Sequence, residues 1–445
     1  MLRFPRPMGG MRDHRVERTL RRRVAFGCAT ALAVALVLEL LLRLAAWSSE
    51  RVEGLLSSGL ERTLPDARLG ARPNPALPDH DVAGWRNELR PQRAAIVAIG
   101  DSQTYGDEVK REDAWPQRLG RHVGRSIYNL ALGGYGPVQY LRLVDDAMEL
   151  APDLVLVGLY SGNDLADAYA AVHERGLAPE LLPDASRRAA LAAAAADRED
   201  LASAWRATGA ARRGRVRQAL RDHVSDPIER HSRLFGLARA LARAASPPTA
   251  AFAAARRKSW EHYAEAVASS DPDLLFAFRD DVAASVLTPA ARAALLDPTD
   301  PRVEEGIRIA LGSLELAAAR CSLRCRVAVV GIPTKEFVFA ERVVASGVAV
   351  PPLYTRLVEH ERAFWSRVRA FLDERRIPFV DTTEALRSAL GSGEDPYPPD
   401  WNGHPNAAGN DAIARAVARY AVGGGESAES RENTKKSAKD PSPAR

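Results

Sequence analysis

The sequence predicts an α/β protein: a three-layer α/β/α domain on a five-stranded parallel sheet, with a large helical insertion and an N-terminal transmembrane helix. Three observations predict it. Short apolar, β-branched runs recur, and each ends in a small polar turn before helical or irregular chain. That alternation is the pattern of parallel strands joined by right-handed crossovers. One long stretch between the third and fourth runs is rich in Ala and Arg and poor in β-branched residues, which marks an insertion. One long apolar run near the start is flanked by arginines.

The chain has 445 residues and 46% hydrophobic residues, enough for a large domain with an insertion or for two or three folded units. Its net charge of +5 includes an arginine excess near the N-terminus, so the basic balance reads as membrane topology. No basic stripe interleaved with aromatics points to nucleic acid. Cys28, Cys321 and Cys325 form no Cys-x-x-Cys pair or Cys/His cluster, so no zinc site is expected. No glycine-rich turn has P-loop or dinucleotide spacing, and no cofactor or metal is expected.

Residues 1–23 are a basic leader ending in Arg21-Arg22-Arg23. Residues 24–47, from Val24 to Trp47, are long enough to span a bilayer. Glu39 and Arg43 are four apart on one helix face and can pair, and Trp47 suits an interfacial anchor. The leader places the N-terminus in the cytoplasm, so the chain reads as a single-pass inner-membrane protein with the rest on the periplasmic or extracellular side. A cleaved signal peptide competes, but its apolar region is unusually long and Leu44-Ala45-Ala46 is a poor cleavage site. Residues 48–89, with Pro65, Pro73, Pro75 and Pro78, read as a stalk.

The domain is expected over 90–165 and 325–422. Its first strand, Ile96-Val97-Ala98-Ile99, breaks into Gly100-Asp101-Ser102. The second, Ser126 to Ala131, ends in Gly133-Gly134. The third, Asp153 to Tyr160, ends in Ser161-Gly162-Asn163-Asp164. The fourth, Arg326 to Pro333, precedes Thr334-Lys335-Glu336, and Lys335 reads as a solvated loop lysine or as a contact for an anionic substrate group or for part of the insertion. The fifth, Arg376 to Asp381, leads to the loop Tyr397 to Gly409 and a last helix. Cys321 and Cys325 flank the turn into the fourth strand, where an exported protein could staple them. Residues 166–324 read as the helical insertion, and 423–445 as a disordered tail.

A serine just past a buried strand stands at the sheet edge where ligands bind. It is also a favoured helix cap, so alone it decides little. Four marks in order decide more: Gly100-Asp101-Ser102, Gly134, Gly162-Asn163-Asp164 and His404-Pro405 resemble the SGNH (GDSL-type) hydrolases. Asp81-x-x-Gly84-Trp85-Arg86-Asn87 resembles membrane-anchored bacterial members. The resemblance implies a flavodoxin-like fold and an acyl-enzyme mechanism. Ser102 would be the nucleophile and His404 the base. The Ser102 N–H, the Gly134 N–H and the Asn163 amide would form the oxyanion hole. Asp101 and Asp164 are expected to organise their turns.

One position departs from the pattern. The family carries an Asp two or three residues before the His, whereas Asn402 and Trp401 stand there and Asp400 lies four back. Asp400 could orient the imidazole through a longer loop, Asn402 could do so without charge, or a backbone carbonyl could. Asp400 is taken as the expected third member. The leading functional reading is an exported serine esterase acting on O-acyl, in particular O-acetyl, groups of a cell-envelope glycan or lipid. An O-acyltransferase on the same site and a non-catalytic binding protein with a decayed site are the competing readings.

Overall fold

The computed structural model describes residues 13–48, 62–77, 79–196, 270–321 and 324–422, with scattered positions between 197 and 269. The expected tail at 423–445, the leader before residue 13 and most of 197–269 lie outside the described residues. The chain divides into two compact units, one of residues 1–61 with 221–250, the other of 62–220 with 251–445.

In the first unit, helix α1 (Asp13–Ser48) contains a 21-residue apolar segment, Ala25–Ala45, long and apolar enough to cross a membrane. Its large side chains, among them Phe26, Leu32, Leu36 and Trp47, are exposed. Arg43 Nε donates to Glu39 at 2.9 Å, the i,i+4 pair expected on one helix face. The same carboxylate accepts from the backbone N–H groups of Arg233 and Leu234.

The second unit holds a five-stranded parallel sheet. Two strands precede it in the chain: β1 (Thr63–Asp66) and β2 (Gly70–Pro73) form an antiparallel hairpin. The sheet strands are β3 (Ile96–Ile99), β4 (Ile127–Asn129), β5 (Leu154–Tyr160), β8 (Arg326–Ile332) and β9 (Phe379–Asp381). Their order is β4-β3-β5-β8-β9, the flavodoxin-like arrangement in which the first two strands are swapped. All pairs are parallel. Every residue of β5 is buried, as a central parallel strand with helices on both faces requires.

The connecting helices run in chain order. The helix α2 (Ser102–Tyr105) and α3 (Trp115–Val123) follow β3, and α4 (Pro137–Met148) follows β4. After β5 come α5 (Asp164–Tyr169) and α6 (Ala185–Ala196). The hairpin β6 (Phe276–Arg279) and β7 (Ala284–Leu287) comes next, then α7 (Pro289–Leu296) and α8 (Pro301–Cys321). Beyond β8 lie α9 (Lys335–Ala345) and α10 (Pro352–Glu374), and beyond β9 come α11 (Thr383–Gly391) and α12 (Ala407–Val422). Helix α12 packs on α3, and α8 packs on α4 and α5.

Two boundaries differ from expectation. The insertion expected to run to 324 stops short, because α8 is the crossover that carries the chain from β5 to the parallel β8. Its buried stripe of Val303, Ile307, Ala310, Leu314 and Ala317 seals the core. A disulfide joins Cys321 at its end to Cys325 before β8. The insertion also contains strand, the β6–β7 hairpin. The stalk expected over 48–89 is folded from residue 62 onward. Leu64, Leu69 and Trp85 are buried. Asn87 exchanges two hydrogen bonds with the backbone of Asn129 and so completes the open edge of β4.

Candidate active site

Strand β3 delivers the chain to Gly100 and then turns sharply into α2. Asp101 caps that helix, its Oδ1 accepting from the Gln103 N–H at 2.9 Å. Gly106 ends it in the left-handed region at φ +82°. Gly100 is required by close approach, since a Cβ there would collide with the Thr104 side chain. Arg86, from the Asp81-to-Asn87 segment, clamps the far end by donating to the Tyr105 carbonyl at 3.2 Å and the Gly106 carbonyl at 2.6 Å. Ser102 is thus held at the C-terminal edge of the sheet, half-buried.

The structure brings Ser102 and His404 together across 302 positions of sequence: the Ser102 hydroxyl donates to His404 Nε2 at 2.8 Å. Behind the ring, Nδ1 donates to Asn402 Oδ1 at 2.7 Å. The same oxygen accepts from the His404 backbone N–H at 3.0 Å. That N–H can only donate, so the amide must present its oxygen here. The proton is therefore on Nδ1, and the Nε2 lone pair faces the serine, the tautomer a general base needs.

The place expected of Asp400 is taken by Asn402. Asp400 Oδ1 accepts instead from the Asn402 N–H at 2.8 Å. Asp400 and Asn402 form two successive turns in which a side-chain oxygen takes the N–H two residues on. The first occupies the carboxylate with the backbone, and the second points the amide at the ring.

Three groups from elsewhere fix this loop. Lys335 is fully buried rather than solvated, and it meets the insertion, one of the two contacts expected of it: its Nζ donates to the Val286 carbonyl at 2.8 Å and to the Asp400 carbonyl at 2.7 Å. Burial lowers its ammonium to about 8. Val286 of β7 donates its N–H to the Pro399 carbonyl at 3.2 Å. Arg292 of α7 donates to the Gly162 carbonyl at 2.9 Å and lies against Gly403, so one guanidinium ties the Asn163 turn to the histidine loop. Both Val286 and Arg292 belong to the segment read from sequence as an insertion of unknown role.

Gly134 follows β4 in the left-handed region at φ +86°, which favours glycine. Its neighbour Gly133 lies against Ser102, where a Cβ would come within 3.5 Å of the Ser102 Cβ. Asn163 follows β5, and its Nδ2 donates to Asp167 Oδ2 at 2.6 Å, which fixes the amide. Burial raises the Asp167 carboxyl to about 7. Asp164 accepts from the Tyr160 N–H and the Tyr140 hydroxyl, each at 2.9 Å, and so organises its turn. Burial holds Asp101 and Asp164 above the ordinary carboxylate range; Asp167 and Asp107 raise Asp101 further, and Asp101 and Asp167 raise Asp164.

Desolvation lowers His404 to about 4, and Arg292, Arg62 and Lys335 push the same way while Asp107 opposes them. The ring is therefore neutral at pH 7, ready to take a proton. Among the described residues no group of His, Cys, Asp and Glu could hold a metal ion.

No protein-family model matches the chain. No curated protein matches it either. Among solved structures it is similar to a protein from Desulfitobacterium hafniense DCB-2 named for the G-D-S-L lipolytic family, at 12% identity and TM-score 0.32, covering 73% of this chain and 97% of that one.

Proposed function

We propose that the chain is a membrane-anchored serine esterase that cleaves O-acyl esters through an acyl-enzyme. The observation that carries this reading is the hydrogen-bonded series Ser102–His404–Asn402, with Nδ1 protonated and Nε2 facing the hydroxyl. Ser102 attacks the ester carbonyl as His404 takes its proton, and the oxyanion is met by the N–H groups of Ser102 and Gly134 and the Asn163 amide. His404 returns the proton to the leaving alkoxide. Water then enters, gives its proton to His404, and releases the acid and the free serine.

The apolar Ala25–Ala45 segment is the anchor, with the catalytic unit on the exported side. The Cys321–Cys325 disulfide supports that side, since such bonds persist in oxidising compartments. Acetyl esters on envelope glycans or lipids are the proposed substrates. The full chain in detergent is expected to hydrolyse p-nitrophenyl acetate and to lose that activity in Ser102→Ala. Equal turnover by the variant would end the proposal.

A further inference from the structure

The site separates charge during reaction, yet its ring-orienting group is neutral. Asn402 fixes the tautomer of His404 but cannot stabilise the imidazolium that forms when the serine proton arrives. A carboxylate lies on the other side of the ring. Asp107 follows Gly106 directly, its N–H donating to the Ser102 carbonyl at 3.1 Å. Its Oδ2 is 4.0 Å from His404 Nε2. Its Oδ1 accepts from Arg62 Nη1 at 2.5 Å. Arg62 Nη1 in turn is the group nearest the turn that carries Gly134, 3.3 Å from where a Gly133 Cβ would stand, with Asp107 Oδ2 at 3.7 Å from the same point. The guanidinium also sits over the Tyr105 ring, 4.8 Å from its centre.

We propose that the Arg62–Asp107 ion pair is the charge-compensating element of this site. Its negative end faces the imidazolium and its positive end faces the oxyanion turn. The inference rests on the esterase reading. The pair is a dipole laid along the charge separation of the tetrahedral intermediate, with imidazolium near Asp107 and oxyanion near Gly134. It is already oriented before substrate arrives, which is what makes such groups effective. No bond to either residue forms or breaks, and both act through His404 and the oxyanion donors.

The charged groups facing His404 are Asp107, Arg62, Arg292 and Lys335. Those acting with Asp107 are Arg62, His404, the Tyr105 hydroxyl and the buried Asp101. Removing Asp107 leaves three cations around the ring, so the imidazolium loses its only opposing carboxylate in that set. Removing Arg62 has the opposite effect on the ring and weakens the oxyanion side.

The test is the pH dependence of kcat/KM for p-nitrophenyl acetate with the full chain in detergent, alongside the titration of His404 followed by NMR of 13C-labelled histidine. Asp107→Asn is expected to lower the plateau roughly tenfold and to move the acid limb down by about one pH unit. Asp107→Glu is expected to restore most of the loss. Arg62→Gln is expected to lower the plateau but move the acid limb upward. Asp107→Asn should cost less in an Asn402→Asp background, where a carboxylate behind the ring shares the task.

Titrations and plateaus that stay put in both Asp107→Asn and Arg62→Gln overturn the proposal. So does a limb moving the same way in both variants. The NMR titration, made in Ser102→Ala protein, reads the ring without any turnover. Activity that survives Ser102→Ala would instead sink the esterase reading and leave the titration result standing.

Discussion

The two loops that meet at the site are built in opposite ways. The Ser102 turn, Gly100 to Gly106, is capped from inside its own few residues, by Asp101 at one end and the left-handed Gly106 at the other, with Arg86 clamping that far end from outside. The histidine loop, Tyr397 to Asn406, has no helix or strand of its own. It is held by distant groups: Lys335 at the start of α9, Val286 in β7 and Arg292 in α7. A turn fixed locally is robust to changes elsewhere in the chain. A loop fixed from outside hands control of the base to whatever holds those outside groups.

Five changes break or sharpen that contrast, from the largest expected effect to the smallest. His404→Ala removes the proposed base, and kcat/KM is expected to fall by ~10⁴ or more in steady-state hydrolysis. Asn402→Ala keeps the base but frees its ring, with an expected loss of roughly 10²-fold, below the ~10⁴ seen when a triad carboxylate is replaced and the wrong tautomer follows. Asn402→Asp, by contrast, is expected to raise the acid limb of the pH profile.

Lys335→Met removes the clamp on the Asp400 carbonyl from well outside the reacting atoms. It is expected to lower kcat about tenfold while the rate of a substrate-independent step, thermal unfolding, changes less, because the sheet itself is untouched. Gly106→Ala tests the other loop. A side chain there meets Ala114 at a positive φ, and a loss of about 1–3 kcal/mol in stability is expected by denaturant titration. If Lys335→Met proves silent while Gly106→Ala abolishes activity, the contrast between the loops is wrong.

The acid side of the pH profile sharpens the same point. His404 is lowered to about 4, so the neutral ring predominates above that value and activity should persist well below pH 6.5. The linkage has a definite sign. The unfolded ring binds protons near 6.5 and the folded ring only near 4, so stability falls as pH drops through that window. His80, also lowered to about 4 by burial, adds in the same direction.

Much of the nucleophile side was legible in the sequence, because its signals are local. A β-branched run, a glycine where a Cβ would clash and a capping Asp all sit within seven residues. The alternation of runs and turns likewise gave the five strands and their parallel sense. The histidine side was legible only in part. Counting back from His404 favoured a carboxylate, but an Asx turn spans two residues, and that spacing selects Asn402. Asp400 is occupied by the backbone one turn earlier.

Lys335 reads first as a loop lysine and only second as a contact for the insertion, because nothing in its neighbours reveals that β7 and the histidine loop close over it. The crossover helix α8 was absorbed into the insertion because Ala- and Arg-rich composition says helix without saying which helix is core. The folded segment after residue 62 read as a stalk because its prolines hide a short hairpin and a set of buried polar anchors, Asp81, Arg86 and Asn87.

The most direct measurement is covalent: the full chain treated with a fluorophosphonate probe, digested and mapped by mass spectrometry. One adduct on Ser102, lost in His404→Ala, is the expected result. An unlabelled Ser102 in folded protein, or labelling that is indifferent to His404, would contradict the claim that these two loops make one reactive alcohol.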